Sequence, residues 1–225
     1  VHATRSQPTG VALIWVDRSG QNSIVVASGA NHALAAGEIN GCRASFRGAA
    51  LALFQLETPL EAVAAALALA RQEGARTILD PAPAQPLPPS LLEQVDILTP
   101  NESEACILLG RPVSRVTPAE APALAADLLK LGPKAVILKL GEQGCCYCDA
   151  ATTIHSPAFP VAATDTTAAG DTFNAGLAVA LAEGRSIEDA LRFANAAAAI
   201  SVTRLGAQAS IPSRAEVEAF LAPTS

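Results

Sequence analysis

Short β-rich runs alternate with helical stretches between residues 50 and 140, and this alternation limits the fold more than any other feature of the sequence. A helical stretch runs from Pro59 to about Gln72, and further helices follow Asn101 and Thr117. The strand-like runs between them are LALFQ (51–55), TILD (77–80), DILT (96–99) and AVILKL (135–140). Such an alternation is typical of an α/β sandwich, in which helices cover both faces of a largely parallel sheet.

The first residues have a different pattern. The runs VALIWV (11–16) and IVVA (24–27) flank DRSGQN, in which Gly20 and Asn22 favour a turn. We therefore predict an antiparallel hairpin ahead of the α/β part. Five apolar residues alternate with others along its two strands, which predicts a single apolar face. These residues are Val11, Leu13, Trp15, Ile24 and Val26.

Several helix starts have the spacing of a capping box, in which a Ser, Thr or Asn is followed three residues later by Glu. The pairs are Thr58 with Glu61, Asn101 with Glu104, Thr117 with Glu120, and Ser213 with Glu216. The proline-rich stretch at 80–90 follows a strand end and precedes a short helix. It is therefore predicted to be a crossover loop within one domain.

The composition allows one sizeable core or two small ones, and it favours a small-molecule partner. The chain has 225 residues, half of them hydrophobic, with 15 Lys and Arg against 21 Asp and Glu. A net charge of −6 provides no basic surface for the phosphates of a nucleic acid, so no nucleic-acid partner is expected. No uncharged apolar run reaches the ~20 residues that span a bilayer, so no membrane segment is expected either.

The amino-terminal residues and the cysteines bear on the compartment. VHATRSQPTG lacks the charged start and apolar core of an export signal, and five cysteines are an odd number, so we expect a cytoplasmic protein with reduced thiols. Cys145, Cys146 and Cys148 include a C-x-x-C spacing, which is found in redox pairs and in zinc sites. No second such pair completes a zinc site, so we favour thiols packed as small hydrophobic side chains in a strand.

The segment from Asp165 to Gly176, DTTAAGDTFNAG, carries the clearest chemical signal. The small residues Ala168, Ala169 and Gly170 precede an apolar helix and leave its first N–H groups uncovered, which predicts a site for phosphate. Asp171 would lie on the first turn, where it could take a proton from a hydroxyl held near that phosphate. The alternative is that Asp171 only caps the helix.

This segment resembles the signature of the ribokinase family of sugar kinases, also called the phosphofructokinase-B family. The resemblance covers nearly the whole chain, and it includes DPAPA, which is similar to the family's NPAPA. Its other parts are QLETPLE (55–61), TPNESEA (99–105), KLGEQG (139–144) and the stretch from 190 to 221. It implies a ribokinase-like three-layer α/β/α sandwich with a largely parallel sheet and a small β lid.

The resemblance also implies an activity, the ATP-dependent phosphorylation of a sugar hydroxymethyl group. Ribose, giving ribose 5-phosphate, is the leading substrate because the AAGD string and the GAQAS ending look more like ribokinases than like other members. Fructose, deoxyribose or a nucleoside stays open as an alternative. Asp171 is then the catalytic base, and Ala168, Ala169, Gly170 and Asp171 form the anion hole for the moving phosphoryl group.

Further residues match the family's nucleotide and sugar contacts. Each has a structural alternative to nucleotide binding. The glycines of the 139–144 loop could form a plain turn, and Lys139 could be a solvated lysine. Asn101 and Glu104 could cap a helix. The residues expected at ATP are Asn101, Glu104, Lys139, Leu140, Gly141, Glu142, Gln143, Gly144, Gly170, Asp171 and Asn195. Glu57 matches a sugar-contacting carboxylate of the family, and the alternative is an acidic residue that only helps to cap a helix. For Asn195 the alternative is a polar helix side chain whose hydrogen bonds are made within the protein.

Two metal ions are implied by the same resemblance. Mg²⁺ would accompany the ATP phosphates near the N-x-x-E motif of Asn101 and Glu104, and it needs no dedicated protein cage because it keeps several waters. K⁺ would be bound by oxygen atoms from two loops, largely through backbone carbonyls. The residues concerned are Asp165, Thr167, Ser201, Arg204, Gly206 and Ser210.

The front of the chain departs from the family pattern. Members open with a strand, an aspartate that binds the sugar and a Gly-Gly-x-Gly-x-Asn segment, and this sequence contains none of these. We therefore expect 1–28 to be the remnant of a β lid and 29–225 to be the nucleotide-binding core. The alternative to an active kinase is a catalytically dead nucleotide-binding fragment. The apolar hairpin predicts a homodimer through the lid. The other interpretation of the hairpin is that its apolar face packs on the core of its own chain.

Overall fold

The computed structural model describes residues 3–16 and 22–222 of the chain. Its strands are β1 (Val11–Val16), β2 (Asn22–Ala27), β3 (Leu51–Phe54), β4 (Arg76–Leu79), β5 (Ile97–Leu98), β6 (Ala135–Lys139), β7 (Cys145–Asp149) and β8 (Thr153–Ser156). Its helices are α1 (Ala36–Asn40), α2 (Arg43–Phe46), α3 (Leu60–Gln72), α4 (Pro89–Leu92), α5 (Glu102–Leu108), α6 (Ala121–Leu129), α7 (Ala169–Ala182), α8 (Ile187–Val202) and α9 (Arg214–Leu221). Short 3-10 turns lie at Gly29–Ala33, Gly141–Gln143 and Gln208–Ser210.

The central sheet has six strands in the order β3-β4-β5-β6-β7-β8. The first four are parallel to one another, because at least one helix after each of β3, β4 and β5 returns the chain to the same end of the sheet. β7 and β8 then add antiparallel strands at one side. The largely parallel sheet predicted from the alternating pattern is therefore confirmed.

Helices cover both faces of the parallel part of this sheet, which explains the continuous apolar runs of β3, β5 and β6. Leu79 and Leu98 point into a core formed with α3 to α6. Their strand neighbours Ile78 and Ile97 point the other way, into a core formed with α7 and α8. Successive strand residues alternate between faces, so two buried faces require continuous apolar runs. The three-layer α/β/α sandwich is confirmed.

β1 and β2 pair antiparallel, as the sequence predicted, and residues 17–21 of the predicted turn lie outside the described residues. The prediction that the hairpin has a single apolar face, however, is wrong. Leu13 is paired with Val25, and Ile14 is paired with Ile24, so Ile24 and Val26 lie on the face opposite to Leu13 and Trp15. Both faces of the hairpin carry exposed apolar side chains.

Two of the predicted capping boxes form at helix starts, at Asn101 with Glu104 and at Ser213 with Glu216. The capping box predicted at Thr58 is wrong, because the N-cap residue of α3 is Pro59, whose carbonyl accepts the first N–H groups of the helix. Thr58 lies one residue before this N-cap position. Thr117 does bind Glu120, but through a turn that ends before α6 begins at Ala121.

The cysteines of β7 are buried, as expected for thiols that pack as small hydrophobic side chains. Cys145 and Cys146 point to opposite faces of the sheet, and Cys148 shares a core with Cys146. Burial raises the pKa of the Cys146 thiol to about 11, so it stays protonated near neutral pH. None of the described helices combines the length and the apolar character needed to cross a bilayer.

Candidate active site

The predicted site residues gather at the carboxyl ends of the parallel strands, facing the amino end of α7. Asp80 directly follows β4, Asn101 comes shortly after β5, and Lys139 is the last residue of β6. Their backbones are in register, since Lys139 forms a parallel bridge with Asn101 and its N–H donates to the carbonyl of Pro100 at 2.8 Å. In open α/β sheets this edge is where ligands bind.

The amino end of α7 has donors available for an anion. Ala168 holds the N-cap position without a side-chain cap, and the first N–H of the helical ladder belongs to Thr172, which donates to the Ala168 carbonyl at 2.9 Å. The N–H groups of Gly170 and Asp171 therefore precede the ladder. Ala168 has a φ of +59°, a left-handed conformation that an alanine rarely adopts and that is typical of functional sites.

A buried ion pair connects two of the strands to α7. The Lys139 ammonium donates to Oδ2 of Asp80 at 2.7 Å, and the Asn174 amide donates to the same oxygen at 2.5 Å. Asn174 lies one turn after Gly170 on α7. A Cβ placed on Gly170 would be 3.4 Å from the Lys139 nitrogen, so the ammonium lies directly beside the helix start.

Asp171 and Glu57 face the same cleft. The surrounding protein raises the pKa of Asp171 by desolvation, and the carboxylate of Asp80 raises it further. The Lys139 ammonium opposes this effect, while Glu57, which follows β3, adds a smaller upward contribution. A raised pKa brings a carboxylate closer to the pH at which a general base works best.

Asn101 and Glu104 form the capping box of α5, so the helix cap that the sequence offered as an alternative role is present for both residues. The Asn101 side chain accepts the N–H of Glu104 at 2.9 Å, and the Glu104 carboxylate accepts the N–H of Asn101 at 2.7 Å. Burial raises the pKa of Glu104, and Lys139 opposes the shift. Glu104 therefore lies within electrostatic reach of Lys139 and can serve the cleft as well as the helix.

The loop after β6 has two different glycines. Gly141 has a φ of +56° and open space where a Cβ would be, whereas Gly144 has a φ of +89° and packs against the backbone of 156–158. Leu140 is buried in the core, so only its backbone could reach a nucleotide. Glu142 pairs with the exposed Arg115 at 2.6 Å, and the Gln143 carbonyl lies 3.0 Å from Nε2 of His155.

Asn195 is buried on α8 and faces the loop after β8. Its amide donates to the Ser156 hydroxyl at 3.0 Å and to the Pro157 carbonyl at 3.3 Å. The same amide nitrogen lies 3.7 Å from the sulfur of Cys145. These contacts satisfy the polar group within the helix packing, so the contact with adenine stays a prediction.

The residues predicted to surround K⁺ come from two loops that meet at Asp165. Oδ1 of Asp165 accepts the N–H of Thr167 and Oδ2 accepts the N–H of Gly206, both at 2.9 Å. Hydrogen bonding by the Thr167 side chain, together with these two N–H groups, lowers the pKa of the Asp165 carboxyl. Ser201 and Ser210 are fully buried beside this junction, but their hydroxyls donate to nearby carbonyls, to Ala198 and Ala207 respectively.

The remaining residue of that set, Arg204, has its guanidinium bound to Glu216 at 2.5 Å, which leaves only its backbone for a cation. The sequence did not single out Asp80 or Asn174, which are central to the cleft. Asp80 was visible only as the first residue of the DPAPA motif, and Asn174 as part of the DTFN string. Asp80 binds Lys139 across 59 residues of sequence and Asn174 across 94 residues.

Comparisons with known proteins identify the family. A family model described as pfkB family carbohydrate kinase matches residues 1–214. A ribokinase from Haemophilus influenzae is 43% identical over 221 residues, which are 98% of this chain and 72% of that protein. The crystal structure of a ribokinase from Thermotoga maritima has a TM-score of 0.83 at 43% identity, covering 96% of this chain and 70% of that chain.

A structure of Arabidopsis thaliana ribokinase complexed with ribose and ATP has a TM-score of 0.84 at 36% identity, covering 97% of this chain and 71% of that one. The family match and these similarities extend over the α/β sandwich and the cleft at its strand ends. The chain belongs to the pfkB family of carbohydrate kinases.

Proposed function

We propose that this chain is an ATP-dependent ribokinase, which transfers the γ-phosphoryl group of ATP to the hydroxymethyl group of D-ribose. The observation that carries the proposal is that Asp171 lies in the first turn of α7, next to the uncovered N–H groups at the start of that helix. A base and an anion site next to each other are what phosphoryl transfer needs, since the reaction is largely positioning and charge stabilisation. The ribokinase relatives and the Arabidopsis complex with ribose and ATP support the substrate pair.

In this proposal Asp171 accepts the proton of the sugar hydroxyl. The hydroxyl oxygen forms a bond to the γ-phosphorus while the bond from that phosphorus to the bridging oxygen breaks, and ADP leaves with the electron pair. The N–H groups of Gly170 and Asp171 stabilise the negative charge on the transferring group. The raised pKa of Asp171 favours proton uptake at this step.

The other nucleotide and sugar contacts follow the resemblance. Glu57 is proposed to bind the sugar, because it shares the cleft with Asp171. The loop from Lys139 to Gly144, together with Asn195, is proposed to bind the nucleotide. We further propose 1–28 as a lid, 29–225 as the nucleotide-binding core, and a homodimer through the lid. The exposed apolar hairpin supports the dimer.

Two cations fit the residues of the cleft. Mg²⁺ would accompany the ATP phosphates, with Glu104 near it, and no described cluster of three His, Cys, Asp or Glu residues offers it a separate cage. K⁺ fits the loop pair at Asp165, because this carboxylate is buried and has no ion pair with a described Lys or Arg. When bound, the two ions would supply positive charge that favours the phosphates of ATP.

The substitution Asp171→Asn tests the proposal, with Asp127→Asn on the distant α6 as a control. We expect Asp171→Asn to abolish ribose-dependent ADP release while ATP–Mg²⁺ still raises the melting temperature of the variant. More than about a tenth of the original kcat, a loss under ~1.4 kcal/mol, would show that Asp171 is not the base.

The substrate is tested separately by the same assay with ribose, deoxyribose and fructose. A preference for fructose of about a hundredfold, ~2.7 kcal/mol, would refute the assignment of ribose. Stabilisation by ATP without ADP release on any sugar would support a nucleotide-binding protein instead.

A further inference from the structure

Asp80 is the most strongly constrained charged group near the cleft that the proposed mechanism does not use. Its backbone N–H continues the parallel ladder by donating to the Phe54 carbonyl at 2.9 Å, so the residue is held on the sheet. Oδ2 receives hydrogen bonds from Lys139 and Asn174. Only 12% of the Asp80 side chain and 14% of the Lys139 side chain are exposed. The pair is therefore largely removed from solvent.

The position of the Lys139 ammonium is unusual for a lysine at the end of a strand. Such a side chain would ordinarily extend into water, where its long stem has the most freedom. Here it lies against the start of α7, 3.4 Å from the place of a Cβ on Gly170. An ammonium has three donors, and the hydrogen bond to Asp80 uses one of them. The other two can bind an anion that reaches the same helix end.

Competing carboxylates show why the ammonium needs an anchor. Among the described residues, Lys139 is the one cation whose charge lowers the pKa values of both Asp171 and Glu104. Without Asp80, an ion pair between Lys139 and Asp171 would neutralise the proposed base. Asp80 removes that alternative because it lies on a rigid strand end and is itself fixed by Asn174.

We propose that Asp80 is a positioning residue that holds the Lys139 ammonium at the amino end of α7, where it binds the β- and γ-phosphates of ATP. The proposal rests on the proposed function, since it presumes that ATP occupies this cleft. A purely structural ion pair joining β4 to β6 is the competing explanation. Buried ion pairs are weak evidence for stability, so the two explanations must be separated by ligand binding.

Isothermal titration of the purified chain with ATP–Mg²⁺ and with AMP separates them, because AMP lacks the β- and γ-phosphates. The variants are Asp80→Asn, Lys139→Gln and the double variant. Lys139→Gln is expected to weaken ATP binding about 10- to 100-fold, the range of a charge-assisted hydrogen bond. Asp80→Asn is expected to weaken ATP binding by at least about fivefold, and both should leave AMP binding within about twofold.

The double variant gives the decisive comparison. If Asp80 acts through Lys139, Asp80→Asn has no further effect on ATP binding once Lys139 is replaced. Lys134→Gln is the matched control, because Lys134 also forms an ion pair, with Asp96 at 2.6 Å, but precedes the opposite end of β6 and is 63% exposed on its side chain. This control should bind ATP like the original chain.

Unchanged ATP binding in Asp80→Asn would overturn the proposal, and so would losses that add in full in the double variant. A loss of AMP binding equal to that of ATP would also overturn it, by indicating a structural role. Absence of ATP binding in the original chain would instead refute the proposed function. If Asp80→Asn does not fold, Asp80→Glu, which displaces the carboxylate by one methylene, is judged by the same criteria.

Discussion

The Asp165 carboxylate and the backbone N–H of Gly206 are joined by a 2.9 Å hydrogen bond across 41 residues of sequence. The carbonyl of Val202 adds two more links, by accepting the N–H groups of Thr164 and Asp165 at 2.7 and 3.1 Å. The loop that leads into α7 is therefore fastened to the loop that follows α8. Because the anion site begins three residues after Asp165, this junction fixes the path of the chain into it.

The first prediction concerns K⁺ at this junction. A cation bound to the Asp165 carboxylate would brace the chain just before Ala168, so exchange of Na⁺ for K⁺ at constant ionic strength is expected to raise activity several-fold. Asp165→Asn should remove most of this difference. The difference between the two salts is measured as initial rates of ADP release. Asp149→Asn, at a distant strand end, is the control variant. Equal rates in the two salts would count against the site.

The second prediction is the pH dependence of the reaction. Asp171 works as a base only when deprotonated, and its pKa is raised above the usual value, so kcat/KM should fall as the pH decreases through that raised pKa. Glu57 contributes to the upward shift. Glu57→Gln is therefore expected to move the acidic limb of the profile to lower pH, whatever its effect on sugar affinity.

The matched control for this pH profile is Glu93→Gln, which removes an equal charge from a residue that does not affect the pKa of Asp171. Its acidic limb should coincide with that of the original chain. A limb that moves to higher pH in Glu57→Gln would contradict the assignment of Asp171 as the titrating base.

Local features of the site could be predicted from the sequence, whereas its non-local contacts could not. The Asn101–Glu104 box spans three residues, and the small residues before α7 are adjacent to the base, so both leave a readable pattern. The Asp80–Lys139 ion pair depends on the order of strands in the sheet, which no spacing encodes. Its only trace was that DPAPA carries an aspartate where the family's NPAPA has an asparagine.

The hairpin illustrates a different limit. The side chains of each strand alternate as predicted, but alternation does not define which residues of two strands share a face. That depends on the register, and a shift of one residue moves a whole strand's side chains to the other face. Here Leu13 pairs with Val25, not with Ile24. The Thr58 box failed for a similar reason, since a shift of one position moves a cap outside the helix.

The third prediction compares the two glycines of the nucleotide loop. A Cβ at Gly144 would overlap the Ser156 carbonyl oxygen and lie 2.6 Å from the Ala158 nitrogen, in addition to the strain of a left-handed conformation. Gly144→Ala is expected to destabilise the fold by ~3 kcal/mol or more. Gly141→Ala meets open space, so it should cost only ~1–2 kcal/mol of backbone strain.

Thermal unfolding measures the difference between these two variants. At about 2–4 °C per kcal/mol for a chain of this size, Gly144→Ala should lower Tm by roughly 6 °C or more, and Gly141→Ala by less. Equal losses in the two variants would indicate that the backbone at 156–158 moves aside freely.

The last prediction is the homodimer through the hairpin. Among the side chains of β1 and β2 that the structure describes, seven large apolar ones are more than two-fifths exposed, including Leu13 at 57% and Trp15 at 58%. A two-stranded sheet with both faces uncovered is marginal in water, so burial against a second copy would stabilise it. Leu13 and Trp15 share one face with Val25, while Ile14 and Ile24 occupy the other. We expect the face with Trp15 to form the contact.

Leu13→Ser combined with Trp15→Lys is therefore expected to convert the dimer into a monomer in light scattering. The double variant Ile14→Ser and Ile24→Ser is the matched control, because it removes similar apolar area from the opposite face and should leave the mass of a dimer. The reverse outcome, a monomer only from the control, would assign the contact to the Ile14 face. An unchanged mass in both variants, or a monomeric original chain, would refute a dimer through the hairpin.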